Sequence, residues 1–229
     1  TGSSTIENTG VVNVDSGTVE GYGSNGVIHN SENGEIKISG GKVRLTDSIF
    51  YYDHVKAIYN ESSKENAVIL EKGILDLSTA RAGGYSGSKA GITSNKGIVT
   101  INGGEIQGTS SSEGSTGVSA DGTAKIIVND GTIKVNSTIA YLTSGEIEIN
   151  NGTLTSGNTG INYGSGSSNG KVTINGGTIS SYYQSVYMYN LTNPTLIITG
   201  GTITSSNSTT INNQQPRSIG NITIKGGTI

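Results

Sequence analysis

The chain has 229 residues and a formal net charge of −3, with 14 Lys and Arg residues against 17 Asp and Glu residues. No basic stripe is present to engage phosphates, so nucleic-acid binding is not expected, and no apolar run approaches the roughly 20 residues that span a bilayer. Glycine is abundant at 36 residues, whereas Phe occurs once and Trp and Cys are absent. These numbers exclude a core of large aromatic side chains and a disulfide-stabilised fold.

One motif recurs along the whole chain, with the form apolar-x-apolar-x-x-Gly-x-apolar. Its nine copies are VNVDSGTV, IKISGGKV, VILEKGIL, VTINGGEI, IIVNDGTI, IEINNGTL, VTINGGTI, LIITGGTI and ITIKGGTI. Their aligned glycines are Gly17, Gly41, Gly73, Gly104, Gly131, Gly152, Gly177, Gly201 and Gly227. Successive glycines are separated by 21 to 32 residues, with a mean of about 26. A period of this length is typical of solenoid proteins.

The motif has a direct structural interpretation. Alternating apolar residues indicate a strand with one buried face, and the glycine marks a bend into a second strand. A further inward apolar residue is expected later in each repeat, at Val27, Ile58, Ile92, Val118, Ile139, Ile161, Val186 and Ile211. Each coil then has three short strands, which predicts an all-β, right-handed, single-stranded parallel β-helix of about nine coils. Residues 1–229 form one domain, and a propeller is excluded because its blades need about 40 residues.

Stacking of the coils predicts which side chains lie above one another. The aligned glycines should form one column, and Ile101, Ile149, Ile174 and Ile198 should form a buried column. Two outer ladders are also predicted. One consists of the turn residues Asn102, Asn129, Asn150 and Asn175. The other consists of Thr132, Thr153, Thr178, Thr202 and Thr228. A threonine array resembles an ice-binding face, but a structural role is favoured because Thr suits exposed strands.

The INGGTI and ITGGTITSS units resemble the β-helix repeats of exported bacterial proteins in the broad pectin-lyase-like superfamily. This resemblance covers the whole chain. It implies a β-helix that serves as a lyase, a tailspike, an adhesin or a stalk, because one fold carries many functions.

Catalysis in that superfamily typically needs clustered carboxylates. The six aspartates fall at different coil positions and would not converge: Asp15, Asp47, Asp53, Asp76, Asp121 and Asp130. The Asp-Asp and Gly-His-Gly elements of the polygalacturonases are absent, as are a zinc spacing and a phosphate loop. We therefore expect a protein without catalytic residues, metal or cofactor. A polysaccharide lyase or glycoside hydrolase is the less favoured alternative.

Three neighbouring coils have longer segments after the aligned glycine. The distance to the next inward apolar residue is 17, 19 and 14 residues in the second to fourth coils, against 8 to 10 elsewhere. Insertions at one corner of consecutive coils should form one loop surface, where binding residues concentrate. The candidate ligand-binding residues are Tyr51, Tyr52, Asp53, His54, Arg81, Tyr85 and Lys89. Tyrosine rings suit stacking on sugars, and the polar groups suit hydroxyls or an acidic substituent.

A second tyrosine group offers a secondary patch, composed of Tyr182, Tyr183 and Tyr187. Tyr187 directly follows an inward apolar residue and should face outward, as should Tyr59. The side chains two residues after an inward apolar residue should face the core, and these are Tyr141, Tyr163 and Met188.

The sequence favours a secreted or cell-surface adhesin-type module that binds polysaccharide, a host glycan or a host protein. The alternative is a structural stalk or spacer of a repetitive surface protein, although a pure spacer does not require three elaborated coils. The chain lacks a signal peptide and an anchor motif, and Ile229 falls within a repeat. We therefore expect a fragment of a longer surface protein, with flanking domains of that protein as neighbours.

Overall fold

The computed structural model describes residues 4–46, 54–78, 88–108, 114–164, 169–189, 192–214 and 220–229. In these residues the chain forms 26 β-strands and no helix. The strands make three parallel sheets, in which each strand pairs with the equivalent strand of the neighbouring coil. The predicted all-β parallel β-helix is confirmed. None of the described segments is a helix long and apolar enough to cross a bilayer.

The three sheets run side by side along the solenoid. Sheet 1 contains β1 (Ile6–Asn8), β4 (Ile28–Asn30), β7 (His54–Asn60), β10 (Ser88–Ser94), β13 (Ser115–Ala120), β16 (Thr138–Leu142), β19 (Thr159–Tyr163), β22 (Val186–Tyr189) and β25 (Ile211–Gln214). Sheet 2 contains β2 (Val11–Val14), β5 (Glu35–Ile38), β8 (Val68–Leu70), β11 (Ile98–Ile101), β14 (Lys125–Val128), β17 (Glu146–Ile149), β20 (Lys171–Ile174), β23 (Thr195–Ile198) and β26 (Asn221–Ile224). Sheet 3 contains β3 (Thr18–Gly21), β6 (Lys42–Leu45), β9 (Ile74–Asp76), β12 (Glu105–Gly108), β15 (Thr132–Val135), β18 (Thr153–Ser156), β21 (Thr178–Ser181) and β24 (Thr202–Ser205).

Each coil contributes one strand to sheet 1, then one to sheet 2 and one to sheet 3. The described residues therefore contain eight complete coils and a ninth with strands in two sheets, which differs slightly from the prediction of about nine coils. The aligned glycines form the bend between sheets 2 and 3, as predicted, and all nine have positive φ values. A Cβ atom on Gly41 would lie 2.8 Å from the carbonyl oxygen of Gly17 in the preceding coil. The bend thus requires glycine for its backbone conformation and for the close approach of the next coil.

The core is a continuous stack of small aliphatic side chains inside the three sheets. Ile149 pairs in register with Ile174, and Ile174 pairs with Ile198. Ile101 belongs to the same column through Val128. All five side chains are buried, so the predicted column is confirmed.

Sheet 1 departs from simple alternation. Val27 and Ile139 are buried, as predicted, but each lies one residue away from the aligned column. Ile58 pairs with Ile28 rather than with Val27. Val118 pairs with Ala140 rather than with Ile139. The reason is a bend within the strand, where two successive residues both point inward and both are buried. When both positions are apolar, the sequence alone does not say which one belongs to the aligned column.

The same bend reverses one predicted side-chain direction. Tyr163 and Met188 are buried and in register, as predicted. Tyr141 instead pairs with Ser119 and Asn162, in an outward-facing column. Its predicted inward orientation is wrong, because Leu142 occupies the inward position in that coil.

Both predicted outer ladders are present. In the asparagine ladder, the Asn129 Nδ2 atom donates to the Oδ1 atom of Asn102 at 2.8 Å, and the Asn150 Nδ2 atom donates to that of Asn129 at 2.8 Å. In the threonine ladder, register pairs run through sheet 3 and end in a bridge between Thr202 and Thr228. The coils are therefore aligned on the outside of the solenoid as well as in its core.

Candidate binding groove

The predicted primary site is described in part. His54 and Lys89 lie in β7 and β10. The remaining candidates, Tyr51, Tyr52, Asp53, Arg81 and Tyr85, lie outside the described residues. The three long connections, residues 46–53, 77–87 and 109–114, all join sheet 3 to sheet 1. They lead into β7, β10 and β13, which are adjacent strands, so the insertions begin and end at one corner of consecutive coils.

A groove with a volume of about 440 Å³ lies along the outer face of sheet 1 and crosses β7, β10, β13, β16 and β19. Its walls include two columns of outward side chains on either side of the strand bend. The column before the bend contains Lys56, Ala90, Thr116 and Thr138. The column after the bend contains Thr93, Ser119, Tyr141 and Asn162. The sequence prediction had identified His54 and Lys89, which both line the groove, but not these two columns.

Lys56 lines the groove on β7, at the end of the groove nearest the preceding coil. Its Nζ atom donates hydrogen bonds to the carbonyl oxygens of Ser24 at 2.7 Å and His54 at 3.0 Å. It lies 5.2 Å from the ring centroid of Tyr59, within the range of a cation–π interaction. Burial lowers the pKa of the Lys56 ammonium group. Among the described residues, no carboxylate oxygen lies within ion-pair distance of this lysine.

A polar network continues the column after the bend beyond Thr93 and holds Tyr59 in place. The His29 ring stacks on Tyr59 with centroids 5.3 Å apart. Its Nδ1 atom lies 2.6 Å from the carboxylate of Glu7, and its Nε2 atom lies 2.9 Å from that of Glu61. The Tyr59 hydroxyl donates to Glu61 at 3.2 Å and accepts from the Asn95 amide at 2.7 Å. Burial, followed by the Glu61 charge, raises the pKa of Tyr59.

The secondary tyrosine patch lies near the other end of the groove. Tyr182 and Tyr183 form an edge-to-face pair with centroids 4.9 Å apart, and both are exposed. Tyr187 and Tyr189 are stacked with centroids 6.1 Å apart. Tyr187 faces outward, as predicted, and pairs with Asn162, which lines the groove. The patch and the groove therefore share one column of outward side chains.

His54 lines the groove on the side where strands β7 and β10 begin. Its Nδ1 atom lies 2.6 Å from the hydroxyl oxygen of Ser88 on the adjacent strand. Lys89, the next residue, is buried, although it occupies a position that holds Val55 in the preceding coil. Within the described ranges, no group of three or more His, Asp or Glu side chains is placed to hold a metal ion.

Fold and groove together define a parallel β-solenoid with an open polar groove on one sheet. Comparisons with models of known protein families, with curated proteins and with solved structures found no match.

Proposed function

We propose that this solenoid binds a polysaccharide or surface glycan in the groove on the outer face of sheet 1. The observation that carries the proposal is the groove lining, which combines Thr, Ser and Asn side chains with Tyr141 and Lys56. Sugar hydroxyls donate and accept hydrogen bonds, as Thr, Ser and Asn side chains do. A tyrosine ring offers an apolar face for a pyranose and a hydroxyl at its edge.

The solenoid supports such a role because its paired strands hold the groove-lining side chains in place without a ligand. The lining side chains project from strands that pair on both sides within sheet 1. Side chains on paired strands lose little freedom on binding, which favours affinity. The long connections end at the same strands, so the residues predicted from sequence would extend the contact surface.

We further propose that the protein acts without catalysis, as an extracellular or cell-surface adhesin-type module. The resemblance of its repeats to exported bacterial β-helix proteins supports this location, and flanking domains of the same protein are expected neighbours. Glycoside hydrolysis needs two carboxyl groups about 5–9.5 Å apart across the bond. No carboxylate is among the described residues that line the groove, and this favours binding over a hydrolase or lyase.

A structural stalk is the second candidate. It is favoured by the uninterrupted parallel pairing that runs through all three sheets. A stalk does not account for a groove lined by polar side chains, since a spacer needs no concave surface. The two candidates differ in one measurable property, which is the binding of a glycan.

A glycan array probed with the 229-residue chain tests the proposal. We expect binding to a restricted set of glycans. Tyr141→Ala should bind about fivefold to tenfold more weakly, because a stacking contact is worth about 1–1.4 kcal/mol. Thr153→Ala, on the outer face of sheet 3, is the matched control and should bind as the wild type does. No binding by the wild type to any glycan would favour the stalk.

Two further variants locate the contact surface. The triple substitution Tyr51→Ala, Tyr52→Ala and Arg81→Ala tests the residues on the long connections. The double substitution Tyr182→Ala and Tyr183→Ala tests the secondary patch. Loss of binding in the double variant, with normal binding by Tyr141→Ala, would move the site from the groove to the tyrosine patch.

A further inference from the structure

Lys56 differs from the other lysines whose partners the structure describes. Four lysines form ion pairs: Lys42 with Asp76 at 3.3 Å, Lys64 with Glu35 at 2.6 Å, Lys125 with Glu148 at 2.8 Å and Lys171 with Glu146 at 3.6 Å. Lys56 has two neutral backbone carbonyl partners instead. Its charge is therefore held in place without being neutralised by a carboxylate of the described residues.

We infer that the groove recognises its glycan through an anionic substituent, a carboxylate or a sulfate group, which binds the ammonium group of Lys56. This inference rests on the proposed function and names the class of glycan. An ammonium group has three N–H donors, and the carbonyls of Ser24 and His54 accept two hydrogen bonds. One donor is left, and an anion bound at this end of the groove would accept it.

Packing and hydrogen bonds hold the Lys56 ammonium group in one position. The Tyr59 ring lies beneath the ammonium group, and Glu61 and Asn95 fix the Tyr59 hydroxyl. An anion-binding group held by packing and hydrogen bonds loses little side-chain entropy on binding. Burial lowers the pKa of Lys56, which means that the charged form is poorly solvated here. A bound anion would relieve that cost.

The groove also sets a minimum length for the ligand. Lys56 lies on β7 and Tyr141 on β16, three strands further along sheet 1. At about 4.8 Å between paired strands, the two side chains are separated by roughly 14 Å along the solenoid. A ligand that contacts both must be an oligosaccharide that lies along the axis, with its charged substituent near Lys56.

The test is a glycan array that contains neutral, uronic-acid and sulfated oligosaccharides, read in EDTA so that bridging metal ions do not contribute. The best-bound glycan is then compared with its carboxyl-reduced and its desulfated forms. We expect anionic glycans to dominate, and binding to weaken in 0.5 M salt. Loss of affinity on carboxyl reduction identifies a carboxylate, and loss on desulfation identifies a sulfate.

Lys56→Met retains the apolar stem over Tyr59 and removes the charge. We expect it to weaken binding of the anionic glycan about tenfold to a hundredfold, as for loss of a hydrogen bond to a charged group. Lys56→Arg, which keeps the charge, should retain part of the affinity, and Lys72→Met, an exposed lysine outside the groove lining, should bind normally. Unfolding curves in urea establish that the variants are folded.

The outcomes separate the inference from the proposed function. If the wild type prefers neutral glycans, and Tyr141→Ala weakens that binding while Lys56→Met does not, the groove is a glycan site and the inference is wrong. If an anionic glycan binds equally well to Lys56→Met and to the wild type, the inference is also wrong. If no glycan binds, both the inference and the proposed function are wrong.

Discussion

The side-chain amide of Asn30 donates a hydrogen bond of 2.7 Å to the Oδ1 atom of Asn60, one coil further along and inside the solenoid. The same ladder begins at Asn8, whose amide donates to Asn30 at 2.8 Å. It ends at Ser94, whose hydroxyl accepts from the Asn60 amide at 2.9 Å. All four side chains are buried. Each amide therefore has a hydrogen-bond partner in the neighbouring coil, at a place that water does not reach.

Asn60→Ala should destabilise the fold strongly. The substitution leaves the Asn30 amide and the Lys96 carbonyl oxygen each without one partner. A buried polar group that loses its partner costs roughly 1–3 kcal/mol. Urea unfolding, followed by circular dichroism, measures the change in the free energy of unfolding.

The control lies in the outer asparagine ladder. Asn129 makes the same kind of amide contact to Asn102, but it is exposed to solvent. Water replaces the lost partner there, so Asn129→Ala should cost no more than about 0.5 kcal/mol. Equal losses for the two variants would show that the inner ladder contributes no more to stability than the outer one.

The sequence predicted the regular part of the fold because that part repeats at every coil. The aligned glycines and the Ile174 column recur with the same neighbours nine times, and period-two alternation assigns their faces. The inner asparagine ladder was missed although a signal exists: Asn8, Asn30 and Asn60 each end an Ile-x-Asn triplet. Later coils hold Leu142 or other apolar residues at this position, so the column changes from polar to apolar and does not resemble one repeat.

The candidate site was predictable to a smaller extent. His54 and Lys89 were identified because they flank insertions, and they do line the groove. Alternation counted from Ile139 predicts that Tyr141 faces the core. The strand bend that turns both Ile139 and Ala140 inward moves Tyr141 to the outer face. Such a bend depends on tertiary pairing with the neighbouring coils, which local alternation does not encode.

Two variants in the glycine column, compared with Gly10→Ala outside it, separate the effect of backbone strain from that of steric overlap. Gly10 lacks a positive φ, and an added Cβ would meet open space. Gly17 has a φ of 77° and open space. Gly131 has a φ of 107°, and its Cβ would lie 2.9 Å from the Gly104 carbonyl oxygen. Thermal or urea unfolding of the three alanine variants should rank them in this order of increasing destabilisation.

The expected sizes follow from the two effects. Gly10→Ala should be close to neutral. Gly17→Ala should cost about 1–2 kcal/mol, since an L-residue is disfavoured in the left-handed region. Gly131→Ala adds overlap with the backbone of the preceding coil and should cost more than that. If Gly131→Ala were no worse than Gly17→Ala, close approach between coils would not be a reason for the glycine column.

Asp76 gives the stability a defined dependence on pH. Burial raises the pKa of this carboxyl group, but hydrogen bonds from Ser78 and Lys42 outweigh it, so the pKa is lowered overall. Its carboxylate also lies 3.6 Å from the Nε atom of Arg44. Because the pKa in the folded state lies below the unfolded value of about 4, this stabilisation is fully present above that pH. It is lost as the pH falls through the folded-state pKa.

Asp76→Asn removes the negative charge and the acid sensitivity together. Near pH 6 the variant should be less stable than the wild type by roughly 1–3 kcal/mol, because Lys42 and Arg44 lose their anionic partner. The difference should shrink as the pH is lowered from 5 towards 2, since the wild type then loses the same charge. Urea unfolding over this pH range measures it, and a constant difference would show that Asp76 does not titrate with a lowered pKa.

The isoleucine column allows one side chain to be compared in a buried and an exposed setting. Ile174 is fully buried and stacks between Ile149 and Ile198. Ile224 occupies the same column, pairs with Ile198, and is 54% exposed. Ile174→Ala should cost roughly 2–5 kcal/mol, because coils on both sides hold the cavity open. Ile224→Ala should cost less than about 1 kcal/mol, because much of its surface is already in water. Both free energies are measured by urea unfolding, and a loss below about 0.5 kcal/mol for Ile174→Ala would contradict a rigid stacked interior.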